Sequence, residues 1–353
     1  MATYYVDNDV GLTGGTGTQA DPFGIETAIA AALPGDTFYW RGGGAGDAFP
    51  GHTLNFNKGG SSLAPVRWIG TDDLWSPVTE PVVGVDGDEG SFPIVEISAN
   101  HQVFEGIRVR NGELGAAGTI FGWHVNANYV MLRHCHAHAC GTGFFNPSTR
   151  RSVIFLACHA FDVETGFHFQ SFDGLFHACV ARQVTGVAFK STLGGAFLHC
   201  RAWDVGDAAF EFRRDSATGN PNTFTVDHAS VYDCTDGVRI NAFNGVNPNL
   251  FSVTNGLFEQ CSGYAVNVTN PTGQPGIVVN NGGFNLTGGQ IPSGRTGLIE
   301  AGWLALPASP FVNPAAGDLS LVRSTPAIGA ALDGGDLGAL QRKHVRARAM
   351  IGL

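Results

Sequence analysis

The chain has 353 residues and a formal net charge of −10 at pH 7, and 14% of its residues are charged. This acidic balance argues against general nucleic-acid binding, which requires a basic face. No run approaches the roughly 18 apolar residues of a membrane span, and residues 1–5 lack the basic and apolar regions of a secretory signal. We therefore expect synthesis in a host cytoplasm without a signal peptide, and neither a nucleic-acid nor a membrane partner.

The chain opens with an irregular segment. Residues 4–7 read Tyr-Tyr-Val-Asp and lead into a loop rich in glycine and threonine. An apolar run follows at residues 25–33, and Pro-Gly-Asp-Thr at residues 34–37 precedes an aromatic triplet.

A repeat of about two dozen residues occupies the middle of the chain. Four cysteines are spaced by 23, 21 and 21 residues (158−135, 179−158, 200−179), each three residues after an apolar side chain. Further positions fit the same frame, with steps of 28, 23, 21, 21, 29 and 27. The resulting column is Ile107, Cys135, Cys158, Cys179, Cys200, Ala229 and Gly256. Periods of this length are typical of solenoids.

Short alternating segments follow each position of the column, for example Phe167-His168-Phe169 and Phe210-Glu211-Phe212. Alternation with period two turns one face inward and the other outward. No segment of the repeat region shows a helical period or helix caps. The sequence therefore predicts an all-β fold, a right-handed parallel β-helix whose turns pair strand to strand.

The two ends resemble the pectate-lyase-like right-handed parallel β-helix superfamily. Residues 4–42 resemble its entry segment, and residues 324–330 with 335–342 resemble its closing segment. The resemblance implies an N-terminal cap that contains a short amphipathic helix. The implied organisation is a cap with first coil at 1–60, the β-helix at 61–340 and a basic C-terminal tail at 341–353. The fold hosts lyases, hydrolases, epimerases, adhesins and viral spikes, so it does not determine the function.

The cysteines raise the question of disulfide bonds, and the histidines raise the question of a metal site. The seven cysteines are expected to be buried free thiols, with a Cys135–Cys140 or stacked-neighbour disulfide as the alternative. His136 and His159 are predicted to be outward neighbours about 5 Å apart. Together with His138 they offer ligands for a metal such as zinc. The alternative, a stacked polar ladder, is favoured, and we predict no cofactor.

The candidate catalytic residues are Glu211, Asp215 and Asp236, with Lys190 one turn back. Glycoside hydrolysis needs two carboxyl groups about 5–9.5 Å apart, and two of these acids lie on adjacent turns. The alternative is a solvated face on which Glu211 pairs with Arg239 across strands. The resemblance also implies acids that bind calcium beside a basic residue, and no such set is recognisable, so we expect no glycan cleavage.

Outward aromatic residues predict a binding surface at Phe145, Phe161, Trp203 and Tyr232. The last three share one column, with Arg182 between them. A stripe of this kind stacks sugars or is buried in a subunit interface.

The basic tail after the closing motif predicts an attachment arm. It carries no acid, and such a segment is either disordered or an arm that orders on a partner. The residues expected to make the attachment are Arg342, Lys343, Arg346, Arg348, Ile351 and Leu353.

Three classes of function remain open. The first is a non-enzymatic structural protein of a virus particle, a head decoration or tail appendage of a tailed phage. The second is a polysaccharide lyase or glycoside hydrolase that acts on an acidic polysaccharide, and the third is a carbohydrate-binding protein without catalysis. The sequence favours the first class, as a homotrimer bound to a capsid or tail protein, with cell-surface polysaccharide as a further partner.

Overall fold

The computed structural model describes the greater part of the chain. The described residues are 1–42, 52–78, 81, 83–90, 93–112, 120–147, 150–171, 173–213, 223–241, 250–269, 276–280, 282–285, 298–301, 304–323, 325–333 and 336–338. Asp215 and the predicted attachment tail at 341–353 lie outside them.

The described residues form a right-handed parallel β-helix, as predicted. The strands in chain order are β1 (Thr3–Asp7), β2 (Thr37–Arg41), β3 (Leu54–Phe56), β4 (Val66–Thr71), β5 (Val83–Gly90), β6 (Val95–Ile97), β7 (Gln102–Glu105), β8 (Ile107–Gly112), β9 (Phe121–Val125), β10 (Val130–Arg133), β11 (His136–Asn146), β12 (Val153–Leu156), β13 (His159–Phe169), β14 (Gly174–His177), β15 (Val180–Val184), β16 (Phe189–Ser191), β17 (Gly195–Leu198), β18 (Arg201–Val205), β19 (Ala208–Arg213), β20 (Thr223–Asp227), β21 (Ser230–Cys234), β22 (Asp236–Asn241), β23 (Leu250–Thr254), β24 (Leu257–Cys261), β25 (Val266–Val268), β26 (Gly276–Asn280), β27 (Gly283–Asn285), β28 (Leu298–Ala301), β29 (Leu304–Ala305), β30 (Phe311–Asn313) and β31 (Asp318–Leu321).

Each regular coil contributes a first, a second and a third strand. The first strands form a twelve-stranded parallel sheet in the order β1-β2-β4-β7-β10-β12-β14-β17-β20-β23-β26-β28. The second strands include β8, β15, β18, β21 and β24, and the third strands include β6, β9, β16, β19 and β22. β11 and β13 are each one continuous strand that contains both the second and the third strand of its coil. Only β30 and β31 pair antiparallel within the described part of the chain.

A tight corner separates the first strand from the second. The residue just before each member of the cysteine column lies at this corner. These residues adopt left-handed backbone angles in every coil from Gly106 (φ 67°) to Asn255 (φ 53°). This conformation is costly for residues with a side chain. It persists because each corner amide donates to a carbonyl of the next coil, as in Ala157 N to His177 O at 2.8 Å and Ala178 N to Leu198 O at 2.9 Å.

The interior is a stack of aromatic columns beside a ladder of thiols. Phe144, Phe167, Phe189 and Phe210 stack with ring centroids 4.6, 4.9 and 4.9 Å apart. All seven cysteines are free and buried, which agrees with the prediction. Each cysteine of the ladder donates to a carbonyl of the preceding coil. For example, the Cys158 thiol donates to Leu132 O at 3.3 Å.

The N-terminal segment contains a seven-residue helix, α1 (Ile25–Ala31), and a 3-10 helix at Asn8–Val10. One side of α1 is buried at Ile25, Ala28 and Ile29. The turn after it is fixed by the Asp36 carboxylate, which accepts from Ala2 N at 2.8 Å and Leu33 N at 3.1 Å. No helix among the described residues is long and apolar enough to cross a membrane.

The described residues from Leu304 to Gly338, here called the C-terminal segment, contain a 3-10 helix at Pro314–Ala316 and fold back onto the second strands. They bury Tyr232 to 9% exposure in a cluster that includes Leu257, Phe311 and Leu319. The aromatic stripe predicted to stand outward is therefore corrected at this end. Trp203 and Tyr232 point outward from the coil, but the C-terminal segment buries Tyr232 and partly buries Trp203. Gly317 lies so close to the Trp203 indole that an added Cβ would approach Cζ2 to 2.8 Å.

Candidate functional site

The third strands align one outward side chain of each coil in a continuous column. Parallel pairing in register places the outward residues of neighbouring coils side by side, roughly 4.8 Å apart. We call this set the third-strand column, and its members are Asn55, Glu96, His124, Phe145, His168, Lys190, Glu211, Arg239 and Asn267.

Two of the four candidate catalytic residues predicted from the sequence, Lys190 and Glu211, are neighbours in this column. Glu211 is 8% exposed, with Lys190 Nζ 3.8 Å from its Oε1 and Arg239 Nη1 3.5 Å from its Oε2. Arg239 also binds Asp207 through both Nη atoms at 2.9 and 2.6 Å, and Asp236 at 2.8 Å. The hydrogen bonds that Arg239 donates to Asp207 are the main reason that the pKa of Arg239 is raised.

Asp236, like Glu211, is buried and bonded to neighbouring groups. It is 2% exposed, and its carboxylate accepts from Tyr264 N and from Asn267 Nδ2, each at 3.1 Å. The alternative to catalysis was a solvated face on which Glu211 pairs with Arg239. The pairing is observed, but Glu211 and Asp236 are buried and not solvated. Lys190, Glu211 and Asp236 thus form one charge network on three successive coils, with two cations and three carboxylates when Arg239 and Asp207 are counted.

An aromatic surface lies two coils before Lys190 in the same column. Phe145 stacks on Phe121 with ring centroids 4.2 Å apart, and His124 and His168 contact the Phe145 ring at 5.4 and 5.2 Å. Burial, followed by the charge of Lys190, lowers the pKa of His168 to about 4, so its imidazole is neutral at pH 7.

Phe121 was missed in the sequence. The signal was available, because Trp123 and Phe144 stand 21 residues apart in the frame of the repeat. The pairing of Trp123 with Phe144 in register places Phe121 and His124 of β9 beside β11.

The histidines considered as metal ligands lie on a different face, formed by the second strands. His136 and His159 stack with ring centroids 4.6 Å apart, close to the predicted spacing. His138 stacks on Phe161 at 4.3 Å, and its Nε2 lies 3.6 Å from Asp162 Oδ2. Burial is the largest cause that lowers the pKa of His136 to about 3 and that of His159 to about 4. Within the described ranges, no group of three or more His, Cys, Asp or Glu side chains is placed to hold a metal ion.

Comparison with known proteins gives a consistent picture of the fold. No protein-family model and no curated protein matches this sequence. Among solved structures, the pectate lyase Pel9A is similar over 97% of this chain and 96% of its own, with a TM-score of 0.71 and 17% identity. A rhamnogalacturonan lyase is similar over 85% and 84%, with a TM-score of 0.61 and 16% identity. An alginate lyase from Paenibacillus sp. str. FPU-7 is similar over 86% and 99%, with a TM-score of 0.57 and 11% identity.

These likenesses define the class of structure to which the chain belongs. It has the pectate-lyase-like parallel β-helix fold, in which polysaccharide lyases and hydrolases are found. At such low identity, the likeness concerns the fold alone.

Proposed function

We propose that the protein binds an acidic polysaccharide along its third-strand column. The observation that carries this proposal is the order Phe145, His168, Lys190, Glu211 on four successive coils. It places an aromatic surface, a neutral imidazole, an ammonium group and a carboxylate along one line. The coil spacing of roughly 4.8 Å is close to the length of one hexose unit. A glycan chain parallel to the coil axis therefore meets one coil with each sugar.

Each part of the column has a chemical use in such a complex. The Phe145 ring, supported from behind by Phe121, offers an apolar surface to the C–H face of a sugar. Lys190 presents a cation that attracts carboxylates, whereas Arg239 is already bound by Asp207 and Asp236. The solved structures with this fold that are named as pectate and alginate lyases lend support to a glycan ligand.

The binding proposal is tested with purified protein, polygalacturonate and a neutral galactan. We expect saturable binding of polygalacturonate, with a loss of about tenfold in Phe145→Ala, or about 1.4 kcal/mol. Leu175→Ala is the matched control, because Leu175 is an outward apolar residue of the first-strand sheet. Equal affinity of the two variants, or equal binding of both polymers, would contradict the proposal.

Cleavage of the bound polysaccharide is the second candidate function. It is favoured by the buried carboxylate Glu211 between two cations, with Asp236 on the adjacent coil. Two reactions fit such a set. Hydrolysis transfers water across the glycosidic bond and creates a new reducing end. Elimination removes the proton next to the uronate carboxylate, forms a C=C bond and breaks the C–O bond to the leaving sugar.

The two reactions leave different products. Elimination yields an unsaturated sugar that absorbs ultraviolet light, whereas hydrolysis yields reducing ends without this absorbance. If cleavage occurs, Glu211→Gln is expected to abolish it and Glu105→Gln to preserve it. Glu105 is an outward carboxylate 3.4 Å from Arg133, which belongs to the next coil of the first-strand sheet. The absence of either product from the wild-type protein would agree with the sequence-based expectation of no cleavage.

The role on a virus particle stays a prediction, as do the homotrimer and the capsid or tail partner. Binding of a host-surface polysaccharide is one way in which a phage appendage would use the third-strand column. Removal of residues 342–353 tests the predicted attachment arm: we expect a folded protein that no longer joins the particle.

A further inference from the structure

A second polar face runs along the second strands. Two parallel columns form it, and we call the set the arginine–histidine face: Arg108, His136, His159, Val180 and Arg201 in one column, and Arg110, His138, Phe161 and Arg182 in the other. The proposed function does not use these residues.

Positive charge is concentrated on this face. Its four guanidinium groups are accompanied by Asp86, 3.0 Å from Arg110, and by Asp162 beside His138. Among the residues that the structure describes, no carboxylate lies within 4.0 Å of the guanidinium of Arg182 or Arg201. Burial lowers the pKa of His136, His138 and His159, so the imidazoles add little charge at pH 7. The face is nevertheless cationic, in a chain whose net charge is −10.

The guanidinium group of Arg182 is held in position by a ring contact. The Arg182 Cζ lies 5.1 Å from the centroid of the Phe161 ring, and that ring stacks on His138 on its other side. The stacked His136 and His159 rings fill the neighbouring column between Arg108 and the coils that follow. A guanidinium held over a ring loses less conformational freedom when it binds an anion.

The face has a defined end. One coil after Arg182, the same column reaches Trp203, which is covered by the C-terminal segment at Gly317. One coil further, Tyr232 is buried by the same segment. The C-terminal segment therefore forms a wall across the second strands. Arg182 and the coils before it lie on the open side of this wall, and the half-buried Arg201 lies on the same coil as Trp203, at the edge of the wall.

We propose that the arginine–histidine face is a second binding site, separate from the third-strand column, for a carboxylated polysaccharide. The chain of sugars lies parallel to the coil axis, and its carboxylates bind Arg182 and Arg201 as planar forks. Arg182 and Arg201 lie on neighbouring coils, in adjacent columns. Neighbouring coils repeat at roughly 4.8 Å, close to one hexose unit, so two successive sugars reach the two arginines.

The proposal goes beyond the proposed function and is tested apart from it, in a protein that already carries Phe145→Ala. Polygalacturonate binding is measured by calorimetry, with neutral galactan, heparin and single-stranded DNA as comparison ligands. We expect Arg182→Gln with Arg201→Gln to weaken polygalacturonate binding by about tenfold for each arginine. Arg67→Gln with Arg133→Gln removes the same charge from the first-strand sheet and is the control. Far-ultraviolet circular dichroism establishes that every variant is folded.

Three outcomes would overturn the proposal. The first is equal affinity of the arginine pair variant and the control pair variant. The second is heparin or DNA binding as tight as that of polygalacturonate, which would make the face a general polyanion site. The third is full retention of affinity in Arg182→Lys with Arg201→Lys, because lysine keeps the charge but lacks the planar fork. Loss of the Phe145 effect alone would overturn the proposed function and leave this proposal standing.

Discussion

Acid is expected to destabilise the β-helix through the stacked pair His136 and His159. Both imidazoles have a pKa lowered mainly by burial, to about 3 and about 4, below the ordinary value of 6.5. Between these values the unfolded chain binds protons that the folded chain does not, so stability falls as the pH falls through 6.5. Near pH 5 the linkage is about 2 kcal/mol for each imidazole relative to pH 8. Partial contact with water reduces it, and we expect about 2–4 kcal/mol for the pair.

The experiment compares the free energy of unfolding of the wild type and of His136→Gln with His159→Gln at about pH 7.5 and about pH 5. The double variant is expected to lose about 2–4 kcal/mol less than the wild type between the two conditions. His177→Gln replaces an exposed histidine of the first-strand sheet and should retain the wild-type dependence. Identical pH slopes for all three proteins would refute the argument that burial keeps the stacked pair neutral.

Three further predictions follow from the interior and the corner. Phe176→Ala should destabilise the protein by about 3–5 kcal/mol in denaturant unfolding, because Phe176 is 1% exposed and stacks on Phe155 and Phe197. Alkylation of the denatured, unreduced protein should label all seven cysteines; a smaller number would indicate a disulfide. His228 has a raised pKa from its pairing with Asp227 at 3.0 Å and Asp333 at 3.7 Å. Its stabilising effect is present below pH 6.5 and is lost as the pH rises through the raised value, so His228→Asn should speed proteolysis of the C-terminal segment in mild acid but not in alkali.

The fold could be predicted from the sequence because each coil of a β-helix needs the same kind of side chain at the same position. Each turn must place a small buried side chain at the same point, and the run from Cys135 to Cys200 records this directly. The same register predicted the contact between His136 and His159 and the neighbourhood of Glu211 and Arg239. Both follow from counting residues, because parallel strands in register carry equal offsets side by side.

The features that were not predicted do not repeat from coil to coil. The column of Phe161, Arg182, Trp203 and Tyr232 was read correctly as outward, and it is one column in the structure. Whether an outward residue meets water depends on what the rest of the chain lays over it. Trp203 and Tyr232 are covered by the C-terminal segment, which lies more than 60 residues later in the chain. The alternation of apolar and polar residues in the strands does not predict this contact.

The same observation bears on self-association. Burial in a subunit interface was one of the two uses predicted for the aromatic stripe, yet Tyr232 is already buried within its own chain. The homotrimer therefore stays a prediction without this support. What remains uncovered in the column is Phe161 with Arg182, which present charge and are better suited to an anionic ligand than to an apolar interface.

The C-terminal segment can be loosened at one glycine to test this account. Gly317 has φ +80°, and a Cβ there would lie 2.8 Å from Cζ2 of Trp203. Gly329 has φ +70°, but a Cβ there meets nothing within 4 Å. Alanine at either position pays about 1 kcal/mol for the left-handed backbone, and only Gly317→Ala must also displace the indole. We expect Gly317→Ala to bind more of a hydrophobic dye and to self-associate at micromolar concentration, whereas Gly329→Ala should not. Equal behaviour of the two variants in dye binding and in light scattering would mean that the C-terminal segment does not shield the aromatic column.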